Sequence, residues 1–173
     1  VNALLDASAL QKLIGRHFNS HRLQKNIEKG RLKGLSISTT NYYSGSNVIF
    51  FQAAQEIEEW ARSDRLSKKV EINVDHIMAS SSIPFFFSPV ALENSFYGDG
   101  SLRQMAPLSP AVKLGADKII AIGMRYDRDK ATAMKLNQEG HHHSPHIAQI
   151  AGTLLNSVFL DSLEYDLERL NRM

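Results

Sequence analysis

Residues 75–100, DHIMASSSIPFFFSPVALENSFYGDG, decide the fold of this chain, because they place a short helix, an apolar segment and a glycine-flanked aspartate in close succession. Asn73 or Asp75 is predicted to cap the helix, and Pro84 to end it, since proline cannot continue the helical hydrogen-bond ladder. The apolar residues that follow predict a strand or turn region. That region leads into Gly98-Asp99-Gly100, which puts a carboxylate at the end of a strand.

A helix and a β-hairpin precede this stretch. Asp6 or Ser8 can cap a helix whose apolar residues recur at helical spacing. Residues 35–40 and 48–51 favour β-structure and flank the turn residues Ser44-Gly45-Ser46-Asn47. These two strands are therefore predicted to pair antiparallel.

Further elements follow the aspartate. Residues 107–114 are predicted to form a helix that Gly115 stops, and residues 118–123 a strand so apolar that it should be buried in a parallel sheet. Residues 126–144 are polar and rich in lysine and histidine, which predicts a mobile loop. Residues 145–172 carry one apolar stripe and are predicted to form a long amphipathic helix.

This order of elements predicts a three-layer α/β/α domain with a mainly parallel central sheet and helices on both faces. With 173 residues, 43% of them apolar, the chain can build one core, so residues 1–173 are predicted to form a single domain. The chain begins at Val1 without an initiating methionine. We expect it to start in mid-protein, so that the domain is truncated at its N-terminus.

Composition excludes several classes of function. The 20 basic residues are scattered among 18 acidic ones, which leaves no footprint for nucleic acid. The absence of cysteine excludes disulfides, thiolate metal sites and cysteine nucleophiles. No apolar run approaches the roughly 18 residues of a membrane span. We therefore expect a cytoplasmic protein whose membrane contact, where it has any, is peripheral.

The Gly98-Asp99-Gly100 loop has two interpretations. Flanking glycines let the backbone bend tightly and let another segment approach closely, which suits a carboxylate that takes part in chemistry. A glycine-flanked turn aspartate is the plainer interpretation, and the tripeptide by itself favours it.

The surroundings of this loop favour the first interpretation. Residues 75–90, 97–100 and 106–117 together resemble the patatin-like phospholipases. That family has an A-S-x-x-x-P turn, a Phe-Pro-Val-like strand, a catalytic D-G pair, a proline-started helix and an L-G-A-D turn in this order. Several linked motifs are more specific than one. The hairpin at residues 35–51, the segment at 60–63 and the helix at 159–163 also resemble the bacterial branch of this family.

The resemblance implies a catalytic role for Asp99, with Gly98 and Gly100 as its supporting loop. In that family a serine in a G-x-S-x-G elbow attacks an ester carbonyl, the D-G aspartate is its base, and a glycine-rich loop holds the oxyanion. Of these parts, this sequence contains the aspartate alone. Residues 34–38, GLSIS, come nearest to an elbow, but β-type residues surround Ser36, which is therefore interpreted as a strand residue.

The resemblance thus implies part of a lipid acyl hydrolase that uses a serine–aspartate dyad, with Asp99 as the base. It implies a lipid ester as substrate and no metal or organic cofactor. A missing N-terminal segment, or self-association, is expected to cover the sheet edge or apolar face that a truncated domain leaves exposed. The alternative is a non-catalytic patatin-like module, or an inactive fragment, that binds lipid or protein.

The histidines raise a second alternative, a metal-binding protein. His141-His142-His143 and His146 could hold a transition metal, but no carboxylate lies at ligand spacing and a solvated loop is favoured. His17 and His21 lack the glutamate of a zinc-binding H-E-x-x-H helix, so they are predicted to lie on the surface. His76 either contacts the catalytic region or is a polar residue at a helix start.

Three further groups have a structural and a functional interpretation. Residues 80–82 are three serines that are better explained as turn formers than as nucleophiles. Phe85, Phe86 and Phe87 are predicted to be core residues in preference to an acyl-chain pocket. Trp60 could meet a lipid surface, or it could pack a solvated basic turn.

Overall fold

The computed structural model describes residues 3–54, 56–62, 64–103, 108–122, 134–135 and 144–160. The chain divides into two compact units, residues 1–119 and residues 120–173. The single-domain organisation stays a prediction.

In the first unit the described helices span Ser8–His17 (α1), Ser20–Glu28 (α2), Val74–Ser80 (α3) and Leu108–Lys113 (α4). The described strands span Gly34–Asn41 (β1), Asn47–Ala53 (β2), Ala61–Arg62 (β3), Arg65–Lys69 (β4), Val90–Leu92 (β5) and Ser95–Asp99 (β6). A single turn of 3-10 helix, Gly100–Leu102, follows β6 directly. In the second unit, Ile147–Leu160 forms α5.

The six described strands form one mixed sheet in the order β3-β4-β2-β1-β6-β5. Helices accompany this sheet, so the α/β fold class is confirmed. The sheet is not mainly parallel as predicted, because among the described strands β2 and β4 make the one parallel pair. The tight turns between β1 and β2 and between β5 and β6 impose antiparallel pairing, since a parallel connection needs a long crossover.

The hairpin of β1 and β2 is confirmed, with a register that runs from Gly34 opposite Ala53 to Thr40 opposite Asn47. The strand predicted at residues 118–123 is wrong over its described part, residues 118–122, which form no strand. Ile120 and Ile122 are 89% and 92% exposed there. An apolar run predicts burial, but it becomes a strand only where a neighbouring strand accepts its hydrogen bonds.

The alternation of side chains along β1 directs the packing of the first unit. Leu35 and Ile37 point to one face of the sheet, where they pack against a buried cluster that includes Leu23 and Ile27 of α2. Gly34 belongs to the other face, and Leu114, which follows α4, lies against it there. Helix α2 therefore packs on one face of the sheet, and Leu114, directly after α4, contacts the other face.

A second buried cluster holds β6 beneath α3. Its members come from four elements and are Val48, Phe50, Ala79, Leu92 and Tyr97. The ring of Phe50 lies edge-on to Tyr97, with centroids 5.2 Å apart. Because Tyr97 precedes Asp99 by two residues and shares its face of the strand, this cluster sets the position of the Gly-Asp-Gly loop.

The start of α3 is as predicted, and its end is not. The Asn73 side chain caps the helix by accepting hydrogen bonds from the first-turn backbone. The helix ends at Ser80, well before Pro84. The hydroxyls of Ser81 and Ser82 donate to the carbonyls of Ile77 and Met78, at 2.9 and 2.7 Å, and are second donors to carbonyls that also accept the Ser81 backbone N–H. The turn-forming role predicted for this serine run is confirmed for these two residues.

The described part of the predicted C-terminal helix is α5, which confirms a helix over residues 147–160. Three of its apolar residues, Ile147, Ile150 and Leu154, are exposed. Residues 161–172 of the same prediction lie outside the described residues. The predicted loop at 126–144 also lies outside them, apart from residues 134–135 and 144. Where the structure describes the chain, no helix has the length and apolar character to cross a membrane.

Candidate functional site

Asp99 is the last residue of β6 and also caps the short 3-10 helix that follows. Its backbone is held on both sides. The N–H of Asp99 donates to the carbonyl of Ser82 at 3.0 Å, and its own carbonyl accepts from the Thr40 hydroxyl at 2.8 Å. The α3 turn and β1 thus fix the place where the carboxylate leaves the chain.

The carboxylate of Asp99 is held through one oxygen. Its Oδ1 accepts two hydrogen bonds from Ser101, one from the backbone N–H at 2.8 Å and one from the hydroxyl at 2.7 Å. No described residue donates to Oδ2. Because the side chain is partly exposed, this second oxygen can accept a proton or a hydrogen bond from an incoming group.

The two flanking glycines are buried, and neither has room for a side chain. A Cβ on Gly98 would lie 2.2 Å from the Tyr42 hydroxyl oxygen, and a Cβ on Gly100 would lie 2.4 Å from the Ser38 carbonyl oxygen. Neither glycine has a positive φ. Close approach by the Tyr42 side chain at Gly98 and by the Ser38 backbone at Gly100 is therefore the reason for glycine here, and of the two reasons offered by the sequence this is the one the structure supports.

Tyr42 is a neighbour of the loop that the sequence analysis did not identify. Burial raises the pKa of the Tyr42 phenol, and the charge of Asp99 raises that pKa further. The phenol therefore stays protonated beside the carboxylate at neutral pH. No local pattern could reveal this contact, because Tyr42 and Asp99 come together only when β1 pairs with β6.

Ser101 was also missed, although a local signal for it exists. An aspartate at a helix start commonly accepts from the backbone N–H of the second or third residue after it. The Asp99 to Ser101 spacing fits it.

Ser36 lies in the middle of β1, opposite Phe51, so its interpretation as a strand residue is confirmed. It does not meet Asp99. Asp99 is opposite Thr39, and Ser36 is three positions from Thr39, which puts the side chains of Ser36 and Asp99 on opposite faces of the sheet.

Two open depressions mark the surface of the first unit. One, of about 600 Å³, lies at the end of β2 and is lined by Ile27 and Gln52, away from Asp99. The other, of about 620 Å³, is lined by residues 3–8 and by Ser82, whose carbonyl binds the Asp99 backbone. Asp99 lines neither of these two depressions.

His76 belongs to the start of α3. Its Nδ1 accepts from the Asn73 backbone N–H at 3.2 Å, which completes a capping box, and its ring lies edge-on to Phe50. The plainer of its two interpretations, a polar residue at a helix start, is confirmed. Burial lowers the pKa of His76, although the charges of Asp75 and Glu93 act in the opposite direction.

This lowered pKa predicts an acid-sensitive fold. The neutral form of His76 is favoured in the folded state, so its contribution is complete above the unfolded pKa of 6.5 and is lost as the pH falls through the lower folded pKa. We expect His76→Gln, which can keep the capping box, to reduce the fall in the urea unfolding midpoint between pH 7.5 and pH 5.0. His17→Gln, at an exposed position, is the control. An unchanged pH dependence in His76→Gln would contradict the assignment.

The remaining sequence predictions have mixed outcomes. His17 and His21 are exposed, as predicted. The described residues contain no group of three or more histidines and acids able to hold a metal, whereas residues 141–143 lie outside them. Trp60 packs on Phe51 with ring centroids 4.9 Å apart, which supports a packed turn.

The predicted core position of the phenylalanines is wrong for two of them. Phe85 is 74% exposed, and Phe86 is exposed as well, while Phe87 is partly buried. The cause is the turn after α3, in which Phe85 has a φ of 67°. This left-handed backbone conformation, uncommon for a bulky residue, reverses the chain here.

The family comparison gives a match over most of the first unit. A model of the family described as patatin-like phospholipase matches residues 1–112, a range that contains β1 to β6 and the Gly-Asp-Gly loop. Comparisons with curated proteins and with solved structures gave no significant match.

Proposed function

Because this chain belongs to the patatin-like phospholipase family, we propose that it supplies the base of a lipid acyl hydrolase, with Asp99 as that base. The observation that carries the proposal is the carboxylate of Asp99, in which Oδ1 accepts two hydrogen bonds from Ser101 while no described residue donates to Oδ2. The serine nucleophile and the oxyanion loop are proposed to lie on a segment of the parent protein outside these 173 residues.

Three features support Asp99 in this role. Its backbone hydrogen bonds to Ser82 and Thr40 restrict where the carboxylate can lie, which is what a general base needs in order to meet its proton donor. The side chain is partly exposed, so a hydroxyl can reach it. Close packing at Gly98 and Gly100 leaves the loop little freedom to move the carboxylate away.

The proposed reaction has two steps, acylation of the serine and hydrolysis of the acyl-enzyme. The serine oxygen bonds to the ester carbonyl carbon while its proton passes to Asp99, and the ester C–O bond then breaks as that proton passes to the leaving alcohol. Water next attacks the acyl-enzyme and gives its proton to Asp99. The carboxylic acid leaves, and the serine recovers its proton from Asp99.

The second candidate is a patatin-like module without catalysis, which binds lipid or protein. The observation that favours it is the absence of any G-x-S-x-G from these 173 residues. In either case we propose that a further segment, or a second copy of the chain, covers the exposed apolar residues Ile119, Ile120 and Ile122.

The test compares residues 1–173 with the longest protein that the reading frame encodes. We expect residues 1–173 to show no hydrolysis of p-nitrophenyl esters or phospholipid above background, and no labelling by a fluorophosphonate. The longer protein should show both, with the label on a serine outside this range. Turnover by residues 1–173 with a labelled serine inside them would overturn the proposal, and an inactive, unlabelled longer protein would favour the binding module.

A further inference from the structure

We infer that Ser101 is the positioning residue that makes Oδ2 of Asp99 the proton-accepting atom. This inference rests on the proposed function and deepens it, because it assigns different roles to the two oxygens of one carboxylate. It also gives a role to Ser101, which lies outside the D-G pair and the other family motifs named above.

The hydrogen bonds around Asp99 distinguish its two carboxylate oxygens. A free aspartate carboxylate turns about a broad, nearly two-fold torsion, so either oxygen can face a substrate. Here both donors of Ser101, the N–H at 2.8 Å and the hydroxyl at 2.7 Å, converge on Oδ1. The carboxylate turns only by breaking both bonds, and Oδ2, which has no donor among the described residues, is therefore held as the oxygen that can accept a proton.

The fold does not need the hydroxyl of Ser101 for stability. The backbone N–H of Ser101 already gives the 3-10 helix its cap. The hydrogen bonds of Asp99 to Ser82 and to Thr40 anchor the loop independently of that hydroxyl. Loss of the hydroxyl should therefore loosen the carboxylate rather than unfold the loop.

The experiment uses the longest protein of the reading frame and compares Ser101→Ala with Ser101→Thr. We expect Ser101→Ala to lower kcat about 10- to 100-fold with KM nearly unchanged, since small misplacements of a catalytic group have effects of this size. Its rate of fluorophosphonate labelling should fall in parallel, and Ser101→Thr, which keeps the hydroxyl, should recover both. Ser95→Ala is the matched control, because Ser95 lies in the same strand as Asp99 but its hydroxyl accepts from Asn41 of β1.

The unfolding midpoints of the variants show whether a lower kcat comes from a misplaced carboxylate or from a less stable fold. If Ser101→Ala keeps full kcat per folded molecule while Asp99→Asn loses it, the inference fails and the proposed base stands. If Asp99→Asn also keeps full kcat, the proposed function itself fails. Should Ser101→Ala not fold, Ser101→Cys gives the same test, because a thiol is a weak donor of similar size. An unchanged kcat in that variant overturns the inference.

Discussion

Asp99→Asn is expected to lower the turnover of the parent protein about 10²- to 10⁴-fold, the range for loss of a positioned general base. Asparagine keeps the shape of the side chain, and its Oδ1 can still accept both hydrogen bonds from Ser101. An amide nitrogen replaces Oδ2, and that nitrogen cannot take up the serine proton. The fold should therefore survive while the chemistry fails.

Turnover and unfolding midpoint should be measured on the same preparation. Asp117→Asn, at an exposed aspartate, is the control for the substitution itself. If Asp99 only caps the 3-10 helix, the variant should lose stability and keep its turnover per folded molecule. Wild-type turnover with normal substrate affinity would remove Asp99 from the mechanism.

Gly100→Ala is expected to destabilise the first unit by about 2 kcal/mol or more, at the upper part of the range for overpacked sites. The new methyl group would lie 2.4 Å from the Ser38 carbonyl oxygen, which is a backbone atom of β1. A strand held on both sides cannot move away without breaking its own hydrogen bonds. Gly98→Ala should cost less, because its collision is with the Tyr42 side chain, which is exposed and can rotate.

Urea unfolding of residues 1–173 measures this ranking directly. Gly15→Ala is the matched control, because Gly15 lies within α1 and no atom lies within 4 Å of the added methyl group. It should stabilise the chain by about 0.5–1 kcal/mol. Equal midpoints for Gly100→Ala and Gly15→Ala would show that the loop does not pack against β1 as described.

Local sequence determined the elements whose stabilising contacts lie a few residues apart. The turn residues at 44–47 predicted the β1–β2 hairpin, and Asn73 predicted the start of α3. Gly115 follows the predicted helix and has a φ of 85°, a conformation that glycine adopts readily. The glycines on either side of Asp99 predicted that another segment packs closely against this loop, although they did not show which residues do so.

Tertiary structure decided what depends on distant parts of the chain. Burial of residues 118–122 cannot be predicted from their apolar character, since burial requires a neighbouring surface and these residues are exposed. The sheet is mixed because β2 pairs in parallel with β4, whereas its other described pairs are antiparallel. Strand β1 pairs with β6 across more than fifty residues, an arrangement with no local signal. That same pairing brings Tyr42 over Gly98 and Thr40 against the Asp99 carbonyl. The sequence alone thus identified the carboxylate, and only the folded chain determined which of its two oxygens Ser101 holds, because that depends on hydrogen-bond geometry.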